Sequence, residues 1–182
     1  MRTYLLAIEV VLAPEWKNYI APVKIGNLKD PEKIKAKVVE WEQNAQTEAI
    51  NGRMTSIIVG FKLKELGTDD VSEGVHSSEL VSAYDLVPFE SLVLAFNART
   101  RVSQAAIEAA KLGVQVPFEM FCKEPLTPKS TRFIDPILAM SKSSEDPDQF
   151  LDYMGISKGL VDGSAGCDVQ LVALENLASI IL

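Results

Sequence analysis

The sequence predicts an α/β fold in which one mixed central sheet is flanked by helices. The first observation behind this prediction is the apolar run from Tyr4 to Leu12, which is typical of a buried central strand. The second is the order of the patterns that follow, since strands come first and helices then alternate with strands. A chain of 182 residues suits one domain with a sizeable core. Because no repeat or internal boundary is visible, we predict a single domain over residues 1–182.

The first strand is predicted from Thr3 to Leu12, and it carries one acid, Glu9, in its middle. A carboxylate inside a buried strand is costly unless it is paired, protonated or bound to a metal ion. The sequence therefore predicts a partner for Glu9. If that partner is a cationic side chain, Arg99 and Arg101 are the candidates.

The first helix is predicted to begin at Asp30-Pro31-Glu32. Asp is a good N-cap, Pro fits the first turn, and Glu is favourable near the positive end of the helix dipole. Three lysines of this helix are interpreted as its solvated side: Lys33, Lys35 and Lys37. The apolar face is predicted to carry Ile34, Val38, Trp41 and Ala45.

The rest of the chain alternates between predicted strands, helices and loops. Extended segments are predicted over 54–63, after an Asn51-Gly52 turn, and over 92–96 and 114–121. Helices are predicted over 78–89 and 103–112, from Asp146-Pro147 onward, and over 169–182. A loop or hairpin tip is predicted over 67–77, and a loop over 159–166 with a turn at Asp162-Gly163. The last helix has an apolar stripe that predicts a core or interface position: Leu171, Leu174, Leu177 and Ile181.

Composition argues against several classes of function. The net charge of −7 and the pI near 4.8 argue against a large basic surface that wraps nucleic acid. Cys122 and Cys167 are too few for a disulfide framework or a zinc site. The single histidine, His76, lies in a polar stretch and argues against a His-dependent triad. Without a signal-peptide pattern or a membrane-length apolar run, we expect a cytoplasmic protein with no membrane partner.

Six short motifs follow one another along the chain. They are the acid-bearing first strand, Lys-Asp-Pro-Glu-Lys-Ile at 29–34, Asn-Gly-Arg at 51–53 before Ile-Ile-Val-Gly, Phe-Asn-x-Arg at 96–99, Arg-Phe-Ile-Asp at 132–135 and Cys-Asp-Val at 167–169. In this order they resemble the predicted 3′–5′ exonucleases related to the proofreading domain of family-B DNA polymerases, many of which are encoded by phages. The resemblance implies a ribonuclease-H-like (DEDD) fold and a place in DNA replication.

The resemblance also implies a two-metal nuclease centre, in which four acids hold two Mg²⁺ or Mn²⁺ ions at a DNA 3′ end. Glu9 and Asp168 stand at two of these four positions and are the candidate metal ligands and catalytic residues. The first motif of the family is Asp-Ile-Glu, and its Asp position is Ala7 here. In the second motif the Asp position is Val102.

Some of the remaining motif positions match the family pattern and others do not. Asn97 and Arg99 match the second motif and are candidates either for contact with a nucleotide phosphate or for satisfying backbone groups at a strand end. In the third motif the Tyr position is Ser164. Asp135 is retained, whereas Phe133 stands where a His is often found.

Loss of two charged ligands should cost a Mg²⁺ site much of its affinity. We therefore expect a degenerate exonuclease-like domain that is catalytically weak or inactive, needs no cofactor, and acts as a binding protein. Its expected partner is a protein, or a single-stranded DNA 3′ end. In the inactive case Glu9 is a relic in a structural pair and Asp168 is an N-cap. The alternative is an active Mg²⁺- or Mn²⁺-dependent exonuclease that recruits other acids, such as Asp135 or Glu108.

Overall fold

The strand that carries Glu9 lies in the middle of a five-stranded mixed sheet. The computed structural model describes residues 2–88, 90–121, 133–141, 151–152 and 154–182. Its strands are β1 (Thr3–Leu12), β2 (Ser56–Glu65), β3 (Val71–Gly74), β4 (Leu92–Ala95) and β5 (Phe133–Ile134), in the spatial order β3-β2-β1-β4-β5. The predicted α/β class with a mixed central sheet is therefore confirmed.

Strand directions divide the sheet into an antiparallel and a parallel part. β2 and β3 are antiparallel, whereas β1 with β4, and β4 with β5, are parallel. The first residue of β1, Thr3, accepts a hydrogen bond from the amide of Leu66, just past the end of β2. This is the arrangement of antiparallel neighbours. The sheet therefore consists of an antiparallel run of three strands with two parallel strands added beside β1.

The helices are α1 (Pro31–Asn51), α2 (Ser77–Asp85), α3 (Ala98–Lys111), α4 (Pro136–Ser141), α5 (Lys158–Asp162) and α6 (Cys167–Ile181). Short 3₁₀ helices span Trp16–Tyr19 and Phe118–Phe121. The chain separates into two compact units, residues 1–10 with 58–182, and residues 11–57. Most of the sheet and the helices after α1 belong to the first unit, and α1 belongs to the second.

The main core of the first unit lies between the sheet and α6. β1 contributes Leu5 and Ala7, which are fully buried, because alternate residues of a strand share one face. The predicted stripe of α6 packs there: Leu171, Leu174 and Leu177 are buried, and Ile181 packs against the cluster from its edge. The expectation of a core position for this stripe is confirmed.

The second half of β1 is bonded by the chain around α6 instead of by β4. β4 pairs with β1 only as far as Leu6, because β4 ends at Ala95. Beyond that point the carbonyl of Gly163 accepts from the amide of Val10 at 2.9 Å. The side chain of Gln170 donates to the carbonyl of Ile8 at 3.0 Å and accepts from its amide at 3.3 Å. This segment fixes the stretch of β1 that includes Glu9.

Several predicted boundaries are wrong, and the reasons are local. α1 begins as predicted, with the Asp30 carboxylate accepting from the Glu32 amide at 3.0 Å, but it runs on to Asn51, so Asn51-Gly52 ends a helix. The segment 67–77, predicted as a loop or hairpin tip, contains β3, which pairs antiparallel with β2 as the second strand of a hairpin. The predicted loop over 159–166 contains most of α5. α3 starts at Ala98 instead of 103, because the first turn is helical although its polar residues are typical of a loop.

Other predicted elements are confirmed in kind with shifted ends. β2, β4, α2 and α6 correspond to the predictions over 54–63, 92–96, 78–89 and 169–182. The predicted extended segment over 114–121 ends in a 3₁₀ turn. The predicted helix start at Asp146-Pro147, and Cys122 with Arg132, lie outside the described residues.

Candidate functional site

The two candidate metal-ligating acids line the same open groove, which has a volume of about 580 Å³. The side chains around it that come from β1, β2, β3 and the start of α6 include Glu9, Phe61, Lys62, Glu73, Cys167 and Asp168. The pairing of Glu9 with Asp168 at one site, which the resemblance implied, is therefore present in the geometry. What surrounds these two acids decides which chemistry the groove supports.

Glu9 is half-buried and is satisfied by a helix terminus. Its Oε2 accepts a hydrogen bond from the backbone amide of Cys167 at 3.3 Å, at the first residue of α6. A carboxylate is stabilised there because the amides and the dipole of a helix N-terminus are positive. The sequence suggested Arg99 or Arg101 as a cationic partner, and this is wrong, since Glu9 bonds to the α6 amide instead.

Asp168 is held by a lysine of β2. Lys62 Nζ lies 2.8 Å from Asp168 Oδ1 and 3.1 Å from Glu73 Oε2. Hydrogen bonds to Asp168 and then to Glu73 raise the pKa of Lys62, so the ammonium is charged at neutral pH. Asp168 was also suggested as an N-cap, which is wrong, because Gly166 occupies that position and Asp168 lies in the first turn of α6.

Lys62 is the site residue that the sequence did not reveal. It is separated from Asp168 by 106 positions, so no local pattern joins the two residues. The neighbouring Lys64 makes a second ion pair with Glu175 of α6. The alternation of Lys62 and Lys64 is the signal, because both point to the same side of β2.

The two positions that lack the expected acids are apolar and closed to solvent. Ala7 and Val102 are both 0% exposed. The thiol of Cys167 lies 3.9 Å from the carbonyl oxygen of Ala7. Burial, and then the nearby Glu9 charge, raise the pKa of Cys167 to about 11, so this thiol is protonated and unreactive at neutral pH.

Asn97 and Asp135 lie together at the carboxyl ends of β4 and β5. Asp135 Oδ1 accepts from the amides of Ile137 at 3.0 Å and Leu138 at 3.3 Å, and the backbone amide of Asn97 also bonds to this carboxylate. Burial is the largest influence on Asp135 and raises its pKa. Asp135 is therefore engaged in capping α4.

Asn97 is the left-handed N-cap residue of α3, with a φ of 45°. Its backbone amide donates to the Asp135 carboxylate, and the strand-end role suggested for its side chain stays a prediction. Arg99 is exposed in the first turn of α3. Its predicted contact with a nucleotide phosphate stays a prediction.

Glu108, the other acid suggested for recruitment, belongs to a polar network that joins α2 to α3. It accepts from the Ser77 hydroxyl and from the Gln104 amide. Gln104 in turn accepts from Arg101 at 2.9 Å. Both Arg101 and Gln104 are almost completely buried. The bonds of Glu108 are therefore structural.

Arg101 anchors the chain that leads into the site. Its Nε and Nη2 donate to the carbonyl oxygen of Asp162 at 3.1 and 2.6 Å. Burial lowers its pKa to about 10, so the guanidinium remains charged at neutral pH. The Asp162 carboxylate accepts from the Ser164 amide at 2.8 Å, and Gly163 ends α5 in the left-handed conformation, which confirms the predicted turn.

The donor set of the groove does not fit the two-metal centre that the resemblance implies. Within the described ranges, no three His, Cys, Asp or Glu side chains come together as a possible metal site. The acid positions at Ala7 and Val102 are apolar, and the Lys62 ammonium binds Asp168 directly. A divalent cation at Asp168 would be repelled by that ammonium at short range. We therefore derive no step through a metal ion.

His76 is exposed at the start of α2, as expected for a solvated residue. Across the part of the chain that the structure describes, none of the helices is both long and apolar enough to cross a membrane.

Comparison of the chain with models of known families, with curated proteins and with solved structures finds no match.

Proposed function

We propose that the chain is a degenerate 3′–5′ exonuclease-like domain that acts in the cytoplasm by binding rather than by hydrolysis. The fold part of this proposal is ribonuclease-H-like. It is supported by the sheet, in which three consecutive antiparallel strands are followed by two strands added in parallel beside the first. A ribonuclease-H-like domain is built on a mixed central sheet of this kind.

The observation that carries the functional part is the ion pair between Lys62 and Asp168 at 2.8 Å. A side-chain ammonium pairs with one of the two candidate metal-ligating acids, and the other, Glu9, accepts a hydrogen bond from a backbone amide. Because the expected acid positions at Ala7 and Val102 are buried and apolar, the groove keeps only acids that already have a hydrogen-bond or ion-pair partner. Such a groove is suited to a structural or recognition role rather than to tight metal binding.

The proposed partner is a protein. A net charge of −7 disfavours tight, non-specific binding to the phosphate backbone. A single-stranded DNA 3′ end is the second candidate partner, with Asn97 and Arg99 as its binding residues. Phage replication or a host factor is the biological setting that the family resemblance suggests.

A nuclease assay tests the proposal directly. A labelled single-stranded DNA is incubated with the full chain and either Mg²⁺ or Mn²⁺, and the 3′ end is followed over time. We expect no metal-dependent digestion by the wild type or by Asp168→Asn. Digestion that requires Mn²⁺ and is lost in Asp168→Asn would establish the active exonuclease instead.

A restoration experiment tests the alignment behind the proposal. Ala7→Asp with Val102→Asp replaces both missing acids, and Mn²⁺ binding is measured by calorimetry. The matched control is Ala7→Asn with Val102→Asn, which has nearly the same volume but weaker ligand atoms. We expect Mn²⁺ binding to rise only in the Asp variant. Equal heats in two folded variants, as judged by circular dichroism, would contradict the assignment of these positions.

A further inference from the structure

One exposed row of side chains on α1 begins with lysine and ends with glutamate, so its two ends are complementary when the row is reversed. It lies within the unit of residues 11–57. Its members follow each other at spacings of three and four residues, with one adjacent pair at its centre, which places them on one side of a helix. We call this the α1 row: Lys33, Lys37, Glu40, Trp41, Asn44 and Glu48. Trp41 is half-buried and the other five are exposed. The cations come first along the helix and the acids second.

The α1 row borders an open groove of about 460 Å³. Residues 20–24 form the other wall, and Trp41 and Ala45 line the groove. Trp41 is fixed there, since its indole Nε1 donates to the carbonyl oxygen of Ala21 at 2.9 Å. The groove therefore offers a preformed apolar surface beside a charged rim.

The charges at the two ends of the α1 row interact unfavourably with the dipole of their own helix. Lys33 lies in the first turn, near the positive end of the dipole, and Glu48 lies in the last turn, near the negative end. Lys33 and Lys37 are four residues apart and repel each other. Glu32 offsets part of this in the first turn. Among the ion pairs of the described residues, none includes a member of the α1 row.

We propose that α1 pairs with α1 of a second copy of this chain, antiparallel across a twofold axis beside Glu40 and Trp41. In this arrangement Lys33 faces Glu48 of the partner subunit, and Lys37 faces Asn44 of the partner subunit. Antiparallel helices also oppose their dipoles favourably. A twofold interface uses one surface twice, so the Lys33–Glu48 pair is made twice, once at each end of the paired helices.

The mixed signs of the rim favour a second copy over nucleic acid. Glu40 and Glu48 border the groove together with Lys24 and Lys37, so phosphates would meet two carboxylates. One row of each α1 makes a small interface, below the usual size of stable complexes. We therefore expect a dissociation constant on the order of 1–100 μM, weakened by salt. This pairing does not depend on the proposed nuclease ancestry.

Sedimentation velocity on the full chain tests the pairing through charge reversal. Lys33→Glu with Lys37→Glu makes the α1 row acidic, and Glu40→Lys with Glu48→Lys makes it basic. Each variant alone should associate at least tenfold more weakly than the wild type, because like charges then face each other. A 1:1 mixture of the two should associate again. The matched control, Lys29→Glu with Lys35→Glu, makes the same change of net charge off the row and should keep wild-type association.

Four results would overturn the proposal. The first is a wild type that stays monomeric up to about 1 mM, well above the expected dissociation constant. The second is a control that disrupts association as strongly as the row variants. The third is a mixture that fails to associate although both variants are folded by circular dichroism. The fourth is a monomeric wild type that binds a single-stranded DNA probe, together with loss of that binding in the variant Lys33→Glu with Lys37→Glu. This result would assign the row to nucleic acid.

Discussion

Two cationic side chains, Lys62 and Arg101, have different roles in this fold because one is in contact with solvent and the other is buried. Lys62 sits in an open groove and compensates two acids, Asp168 and Glu73, so its bonds compete with water. Arg101 is fully buried and bonds to a backbone carbonyl and an amide side chain. Its removal leaves those polar groups without donors in a dry environment, which is far more costly than loss of an exposed pair.

We expect Arg101→Ala to lower the free energy of unfolding by about 3 kcal/mol, through the unpaired Asp162 carbonyl and the cavity left behind. Arg99→Ala, two positions away and exposed, is the control and should change it by about 0.5 kcal/mol or less. Urea denaturation followed by circular dichroism measures both. Equal effects of the two substitutions would show that the buried guanidinium is not an anchor.

At the scale of elements, the segment between α5 and α6 determines how β1 is held. Gly163 ends α5 with a φ of 82°, and its carbonyl bonds to Val10 of β1. A Cβ at this position would lie 3.0 Å from the carbonyl oxygen of Ile8 and 3.3 Å from Arg101 Nε. Glycine is therefore required here both for its backbone conformation and for the close approach to the strand.

Gly163→Ala is expected to destabilise the fold more than Gly155→Ala. Both glycines have positive φ, so each substitution should cost roughly 1–2 kcal/mol in backbone strain. Only at Gly163 would the new methyl group also displace β1, since at Gly155 nothing lies within 4 Å. Chemical denaturation of the two variants gives the comparison. Equal losses of stability would mean that the contact with β1 is loose.

At this scale, whether a feature could be predicted depends on how far apart in the sequence the interacting residues are. The start of α1 at Asp30-Pro31 was predictable because the cap, the proline and the acid are adjacent. β1 was predictable because its apolar run is continuous. The bond from Lys62 to Asp168 spans 106 positions and depends on how α6 lies on the sheet. No local pattern of either segment contains that information.

The candidate site was predictable only in its parts. The absence of acids at Ala7 and Val102 is visible in the sequence, as is the presence of Glu9 and Asp168. The compensation of Glu9 by an α6 amide is not visible, because it needs the register of α6 against β1. The sequence makes Arg101 one candidate partner for Glu9, whereas in the fold it is buried and donates to the carbonyl oxygen of Asp162.

At the scale of the whole molecule, the buried side chains are unevenly distributed between the two units. In α1 the buried residues are Ala45, Ala49 and Ile50, all in its second half. The first three turns of α1 hold only exposed or half-buried side chains. By contrast, α6 buries residues along most of its length. Local stability follows burial, so opening should be easiest in the first half of α1.

Hydrogen exchange measured by mass spectrometry should therefore show amides of 34–44 exchanging at least tenfold faster than those of 170–178. The reason is that opening the first turns of α1 exposes little apolar surface, whereas opening α6 exposes the main core. The experiment is run at low protein concentration, so that pairing between copies does not add protection. Equal protection in the two helices would contradict this difference in local stability.

The bonds between β1 and the segment around Gly163 and Gln170 also bear on biosynthesis. Translation delivers β1 first, but the groups that complete its second half arrive more than 150 residues later. Until then a nascent chain presents an apolar strand with an open edge, which is a template for intermolecular pairing. Ribosome-bound or prematurely terminated chains of this protein should depend on chaperones in proportion to how much of α6 they lack.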